Sequence, residues 1–575
     1  MEKVFLGKKM SVSNLFVSII FVAATCTFQV NGFTVLKNNK YVGRRFQSTN
    51  LNTLPFFVEE SSSVDESRKT PKKILQSRKL GSQEHLMLPR QYSPGKEDFP
   101  QMSHVSCTIL SATPSTQHLK LAIESTMRSH PMLRVKVIGD GEPSERIDLF
   151  QMVRKGEPSP LTFQETEVGV FKADDVLSVV DVENDDIDAS WKERFNYDLD
   201  LATIDVSEGP LWRIELHRLN AKSGDSSNDD CAILLTFNHA VSDQSSANLI
   251  MDEILGNISQ LESEGVISNK GAINKIPNSL EENVLGTGNI WEDIGVSGVS
   301  TRTLQYVAGK AAEGLRNPVI LPDDDDSNGK SDPLAALTTI SGRAAGGEDS
   351  TSNERRSTLQ FRTLSKQSSA SLLEKCRENG VTMTNALSAA VALTSTDVIA
   401  YGSDDSTATR NYKVLQSLDM RRFGNEADEC ESVSCQAGSM DLMLGPLNDF
   451  SGASLRSGKD KNAIEKFWRL AKEGRDQTRS FIESGGPEQA VKVFDFAMTV
   501  ADLNNLVHLT AKSESSKGRA YSAGISNVGV YERQKAVKRE KSNDRDNLKS
   551  KHGRYDIKEI YFATSHARSG CLYQG

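Results

Sequence analysis

Apolar and polar positions along the chain fall into two rhythms, one with a period of two and one near 3.6. Val105, Cys107 and Ile109 alternate with polar neighbours, which predicts a strand. Thr113-Pro114 then offers an N-cap and a first-turn proline, and Leu119, Ile123 and Met127 recur at helical spacing. That helix is expected to stop at His130-Pro131, because a proline disfavours helical geometry in the residue before it. Trp212, Ile214 and Leu216 alternate with Arg213, Glu215 and His217, the pattern of a half-buried strand. From Cys231 to Phe237 the chain is almost continuously apolar, as in a strand covered on both faces. The polar stretch Ala221 to Asp230 between them predicts a hairpin. Asn238 and His239 follow the buried strand, and Ala247, Ile250, Met251, Ile254 and Ile258 then mark one face of a helix.

The second half repeats this mixture. A helix is predicted to end at Gly380, where glycine can take the left-handed conformation that closes a helix. Another helix is predicted from Thr384 through Leu393, a strand from Tyr412 to Met420, and a helix around Ala463, Phe467, Leu470 and Ala471. Strands near Ile525 to Tyr531 and from Ile557 to Thr564 follow, separated by a basic polar insertion, Lys535 to His552, read as a surface loop. Residues 321–356, with the acid run Asp323 to Asp326 and much Gly, Ser and Asp, read as a linker. No EF-hand ligand spacing occurs in that run, so a solvated loop is the reading for it. The fold class is therefore α/β, with two lobes spanning 77–320 and 357–575; 575 residues exceed what one core usually supports.

Composition and charge change the picture mainly at the N-terminus. The net charge is -9, but residues 1–58 carry +6, which leaves -15 for the rest. An acidic body argues against a nucleic-acid partner, which would need a basic stripe. Lys3, Lys8 and Lys9 precede an apolar stretch from Val12 to Val30 that contains Ala23 and Ala24, the pattern of a signal peptide over 1–32. The competing reading is a membrane anchor, but Ser13, Asn14, Ser18, Thr25, Thr27 and Gln29 dilute the stretch. Residues 33–76 form a transit-like segment and linker. From Phe33 to Val58 there is no acid, while Lys37, Lys40, Arg44 and Arg45 lie among Ser, Thr and Asn. This order resembles the two-part leaders of algae whose plastids are reached through the secretory pathway, so secretory entry, with plastid delivery beyond it, is the expected route. The seven cysteines include no C-x-x-C pair, which argues against structural zinc; Cys430 and Cys435 are open to pairing or to staying buried thiols.

Two histidines satisfy H-x-x-x-D: His239 with Asp243 (HAVSD) and His552 with Asp556 (HGRYD). Context separates them. His552 lies in the charged insertion, where an exposed loop histidine is the plain reading. His239 ends a buried strand where a helix begins, which fixes its backbone and leaves its ring at a cleft. The plain reading of His239, a hydrogen-bonded core histidine, stands beside the catalytic one.

The segment Thr236-Phe237-Asn238-His239-Ala240-Val241-Ser242-Asp243 resembles the active-site segment of the H-x-x-x-D acyltransferase superfamily. That superfamily includes chloramphenicol acetyltransferase, plant BAHD acyltransferases, condensation domains and alcohol acetyltransferases. Further segments agree in order. Arg78-Lys79-Leu80-Gly81-Ser82-Gln83-Glu84 resembles the opening of its alcohol acetyltransferase and condensation-type members. Ser129-His130-Pro131-Met132-Leu133-Arg134 resembles the element ending their first helix, and Gly209-Pro210-Leu211-Trp212-Arg213 the strand entering the hairpin. Gly380-Val381-Thr382 with Ala386-Leu387, Asp419-Met420-Arg421-Arg422 and Ser526-Asn527-Val528-Gly529 fall where later elements of the family do.

The resemblance implies two similar chloramphenicol acetyltransferase-like lobes with an active-site channel between them. It implies acyl transfer from a thioester, acyl-CoA foremost, to an alcohol or amine, with His239 as general base. It needs no cofactor beyond that co-substrate, and no metal. Asp243 would turn from the substrate and pair with an arginine, for which Arg421 and Arg422 are the candidates; Ser526 and Asn527 are candidates by position for contacting substrate. A monomer is expected. Two departures bear on activity: Gln244 stands where relatives have glycine, and Asn238 precedes His239 where condensation domains have a second histidine. The chain also ends at Gly575, where relatives continue through another strand and helix, so a trimmed second lobe or a short end is expected. The alternatives are an inactive relative that binds a thioester or a partner, and a stand-alone condensation-type enzyme. No carrier-protein segment is present, so a carrier protein would act in trans. The leader reading predicts that residues 1–75 fused to a fluorescent reporter enter the secretory route, and that a diffuse cytosolic signal will not be seen.

Overall fold

The computed structural model describes residues 75–88, 102–139, 161–183, 186–200, 204–219, 230–268, 275–286, 301–314, 359–395, 411–424, 432–447, 461–500, 523–529, 531, 555–565 and 573–574. The leader, the acidic linker, Cys430 and the basic insertion with His552 lie outside the described residues. Among the described residues no helix is long and apolar enough to cross a membrane.

The first lobe opens with β1 (Ser77–Lys79) and α1 (Ser82–Met87). Arg78 grips Glu84 through two guanidinium hydrogen bonds of 2.8 Å, and the Gly81 amide donates to the same carboxylate at 2.7 Å, so this opening folds onto itself. β2 (Ser103–Leu110) leads to α2 (Thr116–Ser129). Its N-cap is Ser115, which accepts from the His118 amide, rather than the expected Thr113. The helix ends at His130 as predicted. A 3₁₀ turn (Pro131–Arg134) follows, and then β3 (Val135–Ile138) and β4 (Thr162–Glu165). Arg134 is buried and pairs with Glu165 at 2.6 Å, which pins the turn to β4. The lobe continues through α3 (Ala173–Val176), β5 (Leu177–Val182), α4 (Ile187–Asp200), β6 (Trp212–Leu219) and β7 (Cys231–Asn238). It then runs through the long α5 (Gln244–Glu264).

β1, β4 and β3 form a small antiparallel sheet, while a strand from near the C-terminus, β11 (Ile557–Thr564), joins β2, β7, β6 and β5, in that order, to form the main one. β6 and β7 make the expected antiparallel hairpin. Both faces of β2 and β7 are covered: Val105, Cys107, Ala232 and Leu234 pack on α4, and Leu110, Ile233, Leu235 and Phe237 face the core that α2 and α5 close. Alternation in β2 therefore does not mean a solvent face. Its polar residues Ser103, His104, Ser106 and Thr108 are buried too.

The remaining elements are α6 (Leu280–Leu285), α7 (Thr301–Gly314), α8 (Lys366–Glu378), α9 (Met383–Thr394), β8 (Tyr412–Asp419), β9 (Ala437–Leu444), α10 (Lys461–Glu483), α11 (Gly486–Val500), β10 (Ala523–Ile525), β11 (Ile557–Thr564) and β12 (Tyr573–Gln574). α8 closes with Gly380 at φ +66°, in the left-handed region. The second lobe packs α9 and α10 on the sheet β12-β10-β8-β9. β10 stops at Ile525, short of the expected span to Tyr531.

Two elements cross the lobe boundaries that the sequence suggests. α7 falls within the expected first lobe, yet Lys310 pairs with Asp441 and Thr303 bonds Gln489, both in the second. β11 falls within the expected second lobe, yet it pairs antiparallel along β2. Leu359 and Phe361, also from the expected second lobe, join Tyr561 around Trp191 and Phe195. The reason is the open edge of β2, whose backbone groups and outer apolar face need a partner.

The lobes also meet at a group of acids. Glu281 on α6 takes the Gln83 amide at 2.8 Å on one oxygen, while its other oxygen is buried without a partner. A Cβ at position 81 would overlap that oxygen, so Gly81 permits the approach. Burial first, then the carboxylates of Asp495 on α11 and Glu84 on α1, push the Glu281 carboxyl up to about 7. In an unfolded chain the group titrates near 4.5, so the native state holds the extra proton between the two values. Stability contributed by this site therefore falls as pH rises from 4.5 to about 7 and stays low above it. Glu281→Gln, which cannot ionise, should be close to neutral at about pH 4 and stabilising at about pH 8, by roughly 3 kcal/mol. Thermal unfolding of both proteins at the two pH values checks this; equal differences at both would contradict it.

Candidate active site

β7 delivers the site. Its last residue, Asn238, is buried, and its side-chain oxygen takes the Ala240 amide at 3.1 Å, which turns the chain. The His239 amide bonds the Met102 carbonyl at 2.8 Å, just ahead of β2, so the histidine backbone is fixed by two strands. Four residues on, Asp243 caps α5 by accepting from the Ser246 amide at 3.0 Å.

The His239 ring is buried, with Nδ1 2.8 Å from the Ser242 carbonyl oxygen. A carbonyl only accepts, so Nδ1 carries the proton and Nε2 presents a lone pair. Among the described residues Nε2 has no hydrogen-bond partner. Burial lowers the His239 pKa below the ordinary histidine value, while the Ser242 carbonyl and the charge of Asp243 act against that shift. The ring is thus neutral near pH 7. Cys435 lies 3.9 Å away, on the Nδ1 side. Burial, and then the Asp243 charge, raise its pKa far above that of a free thiol, so it is no nucleophile for this histidine.

Asp243 does not touch the imidazole. Both of its oxygens are taken by donors. Arg421 supplies two, at 2.7 and 3.1 Å, and the Gln436 amide a further one at 2.9 Å. Burial opposes the charge of Asp243, but Arg421 and the two amides outweigh it and hold the carboxyl down at about 2. Burial likewise opposes the charge of Arg421, and Asp243 overcomes it, so the guanidinium pKa is raised. Arg421 stands just after β8, so this pair ties the histidine loop of one lobe to the sheet of the other. Its Nη2 also donates to Ser246 Oγ at 3.0 Å and to the Ser434 carbonyl at 2.9 Å. Arg422, the other candidate, is exposed.

Ser526 is half-buried and Asn527 exposed, directly after β10. Asn527 Nδ2 bonds Thr384 Oγ1 at 3.0 Å, and the structure records no hydrogen bond from either residue to the histidine loop. A residue that sequence reasoning passed over does reach that loop. His104 on β2 lies with its ring centroid 5.6 Å from that of His239, and stacks on Phe237, which stacks on Trp212. These rings come from neighbouring strands in register, His104 opposite Phe237 and Phe237 opposite Trp212. The available signal was a histidine among small hydroxyl residues rather than charges on the supposed polar face of β2.

No family model matches the chain, and no curated protein sequence matches it. Solved structures do match. Trichothecene 15-O-acetyltransferase from Fusarium sporotrichioides superposes with a TM-score of 0.54 at 11% identity, over 85% of this chain and 86% of that one. The first condensation domain of the calcium-dependent antibiotic synthetase gives 0.45 at 14% identity, over 71% and 75%. The cyclization-docking bidomain of Sorangium cellulosum gives 0.46 at 16%, over 78% and 70%. The fungal enzyme carries the conclusion on architecture: this chain has the two-lobed, chloramphenicol acetyltransferase-like α/β fold.

Removing one partner of the Asp243–Arg421 pair leaves a buried charge alone, at a cost of roughly 3–5 kcal/mol. Asp243→Ala should lower stability by that order. In double-mutant cycles it should couple strongly to Arg421→Ala and add independently to Arg422→Ala. Denaturant titration of the four-protein sets checks this, and additivity with Arg421→Ala would rule the clamp out.

Proposed function

We propose that this protein transfers an acyl group from a thioester to an alcohol or amine, with His239 as the general base. The observation that supports it best is the bond from His239 Nδ1 to the Ser242 carbonyl, which leaves Nε2 as the basic atom on a neutral ring. An alcohol's pKa is far above neutrality, so its attack on a thioester carbonyl needs a base that takes the proton as the bond forms. His239 Nε2 accepts that proton while the acceptor oxygen bonds the carbonyl carbon. The tetrahedral oxyanion then collapses, the carbon–sulfur bond breaks, and the imidazolium returns its proton to the departing thiolate. No covalent acyl-enzyme is required.

Asp243 takes no proton in this scheme. Saturated by Arg421, Ser246 and Gln436, it holds the loop in place and keeps one lobe against the other. The oxyanion needs a donor. Ser526 and Asn527 remain our candidates, because β10 runs parallel to β8 and both strands therefore end on the side where Arg421 meets Asp243. Gln244 is committed to His104, Ser106 and Asn248 and makes no hydrogen bond to His239, so it does not compete for the basic nitrogen. That favours an enzyme over an inactive relative. Acyl-CoA is the proposed donor, with a carrier-bound thioester as the alternative. An alcohol is the preferred acceptor, by likeness to the O-acetyltransferase.

Leaderless protein assayed for acceptor-dependent thiol release from acyl-CoA, with pooled alcohols and amines, tests this. His239→Ala should fold normally and lose roughly 100- to 10,000-fold in rate, while His552→Ala should be silent. Because the His239 pKa is lowered, the acidic limb of kcat/KM should lie below the ordinary histidine value of about 6.5. Undiminished transfer by His239→Ala would overturn the assignment.

A further inference from the structure

His104 is buried, titratable, adjacent to His239 and without a part in the chemistry above. Its surroundings fix both of its ring nitrogens. On one side, Nε2 lies 3.1 Å from Gln244 Oε1. The Gln244 amide is oriented by its nitrogen, which donates to Asn248 Oδ1 at 2.8 Å and to Ser106 Oγ at 3.1 Å. Its oxygen therefore faces His104, and an oxygen accepts, so His104 carries its proton on Nε2. Burial, and then the neighbouring His239, lower the His104 pKa to about 4, so the ring is neutral with a lone pair on Nδ1.

On the other side, the bare His104 Nδ1 can only accept, and it lies 3.3 Å from Ser242 Oγ, whose single proton is shared between this nitrogen and the Asp243 carbonyl at 3.1 Å. The carbonyl of that same Ser242 receives the proton of His239 Nδ1. A chain of hydrogen bonds thus runs from Gln244 through His104 and Ser242 to His239. The two histidines are held in opposite tautomers, His104 protonated on Nε2 and His239 on Nδ1.

We propose that His104, locked by Gln244, is a positioning residue for His239: it anchors the Ser242 hydroxyl and so aims the carbonyl that keeps His239 Nε2 free. Gln244, at the first position of α5, is a working part of this site rather than a defect in it. The inference rests on the proposed role of His239 as base, and the experiment separates the two.

The full leaderless protein labelled with ¹⁵N-histidine reports tautomers without turnover, because protonated and bare ring nitrogens resonate far apart. Signals are assigned by their loss in His104→Gln and His239→Ala. The wild type should show His239 as the Nδ1-H form. His104→Gln keeps a donor near the Nε2 position but nothing at Nδ1, whereas His104→Asn keeps an acceptor near the Nδ1 position but nothing at Nε2. His104→Gln and Gln244→Gly should each convert His239 to a tautomer mixture and lower kcat by about tenfold with little change in KM. His104→Asn should recover most of that loss. Ser242→Ala, which keeps the carbonyl and removes only the hydroxyl, should match His104→Gln, and the double variant should be no worse than either. This arm keeps the test sound if a histidine variant fails to fold. A single unchanged His239 tautomer with wild-type kcat in Ser242→Ala, or a His104→Asn no better than His104→Gln, would overturn the proposal. If the tautomers shift as expected but His239→Ala still transfers acyl groups, the base assignment fails and the positioning network stands.

Discussion

A carboxylate and a guanidinium taken out of water must find each other, and at the centre of this fold Asp243 and Arg421 do so. The pair is not a surface ornament that salt would screen. Its members come from opposite lobes, and each is further satisfied by neighbours: Asp243 by the Ser246 and Gln436 amides, Arg421 by Ser246 Oγ and the Ser434 carbonyl. The consequence is geometric. The turn between β7 and α5 can sit in one place only, because its last residue caps a helix and receives two charged hydrogen bonds. Everything else about the site follows from where that turn is held.

The strip 433–437 carries the same constraint into the cores. Val433 and Cys435, from the second lobe, lie in the apolar cluster of the first, and the Gln436 side chain reaches Asn283 and the Asn278 carbonyl. The junction is therefore apolar packing threaded by a few hydrogen-bonded polar groups. Burial then acts differently on each titratable group. It lowers the basicity of His239 and His104, because nothing negative contacts either ring. It fails to neutralise Asp243, because a cation does. It does push Glu281 up, because its near neighbours are acids. One medium gives these outcomes through local partners alone.

Much of the architecture could be read from residue order. The apolar run Cys231–Phe237 marked the central strand, and Ile557–Thr564 was legible as a strand with those bounds. The spacing after His239 marked α5, and Gly380 the end of α8. Such features are local: side-chain period and backbone tolerance are properties of a few consecutive residues. Where local signals competed, the margins moved. Ser115 took the cap from Thr113, and β10 ended before Ser526.

Tertiary structure alone decided which separate pieces meet. The sequence by itself named His239 over His552 from context, and offered Arg421 and Arg422 to Asp243 without choosing between them. The choice depends on which arginine faces inward when β8 ends, a matter of lobe docking that no short window encodes. His104 was invisible for the same reason: alternation in β2 put it on the polar face, and only the covering of that face by α5 turned it inward, beside His239. β11 joined β2 rather than its own lobe's sheet because an open edge is satisfied by whichever strand the whole fold brings to it. Periodicity is written in neighbours along the chain, whereas tautomers, ion pairs and sheet edges are settled by neighbours in space.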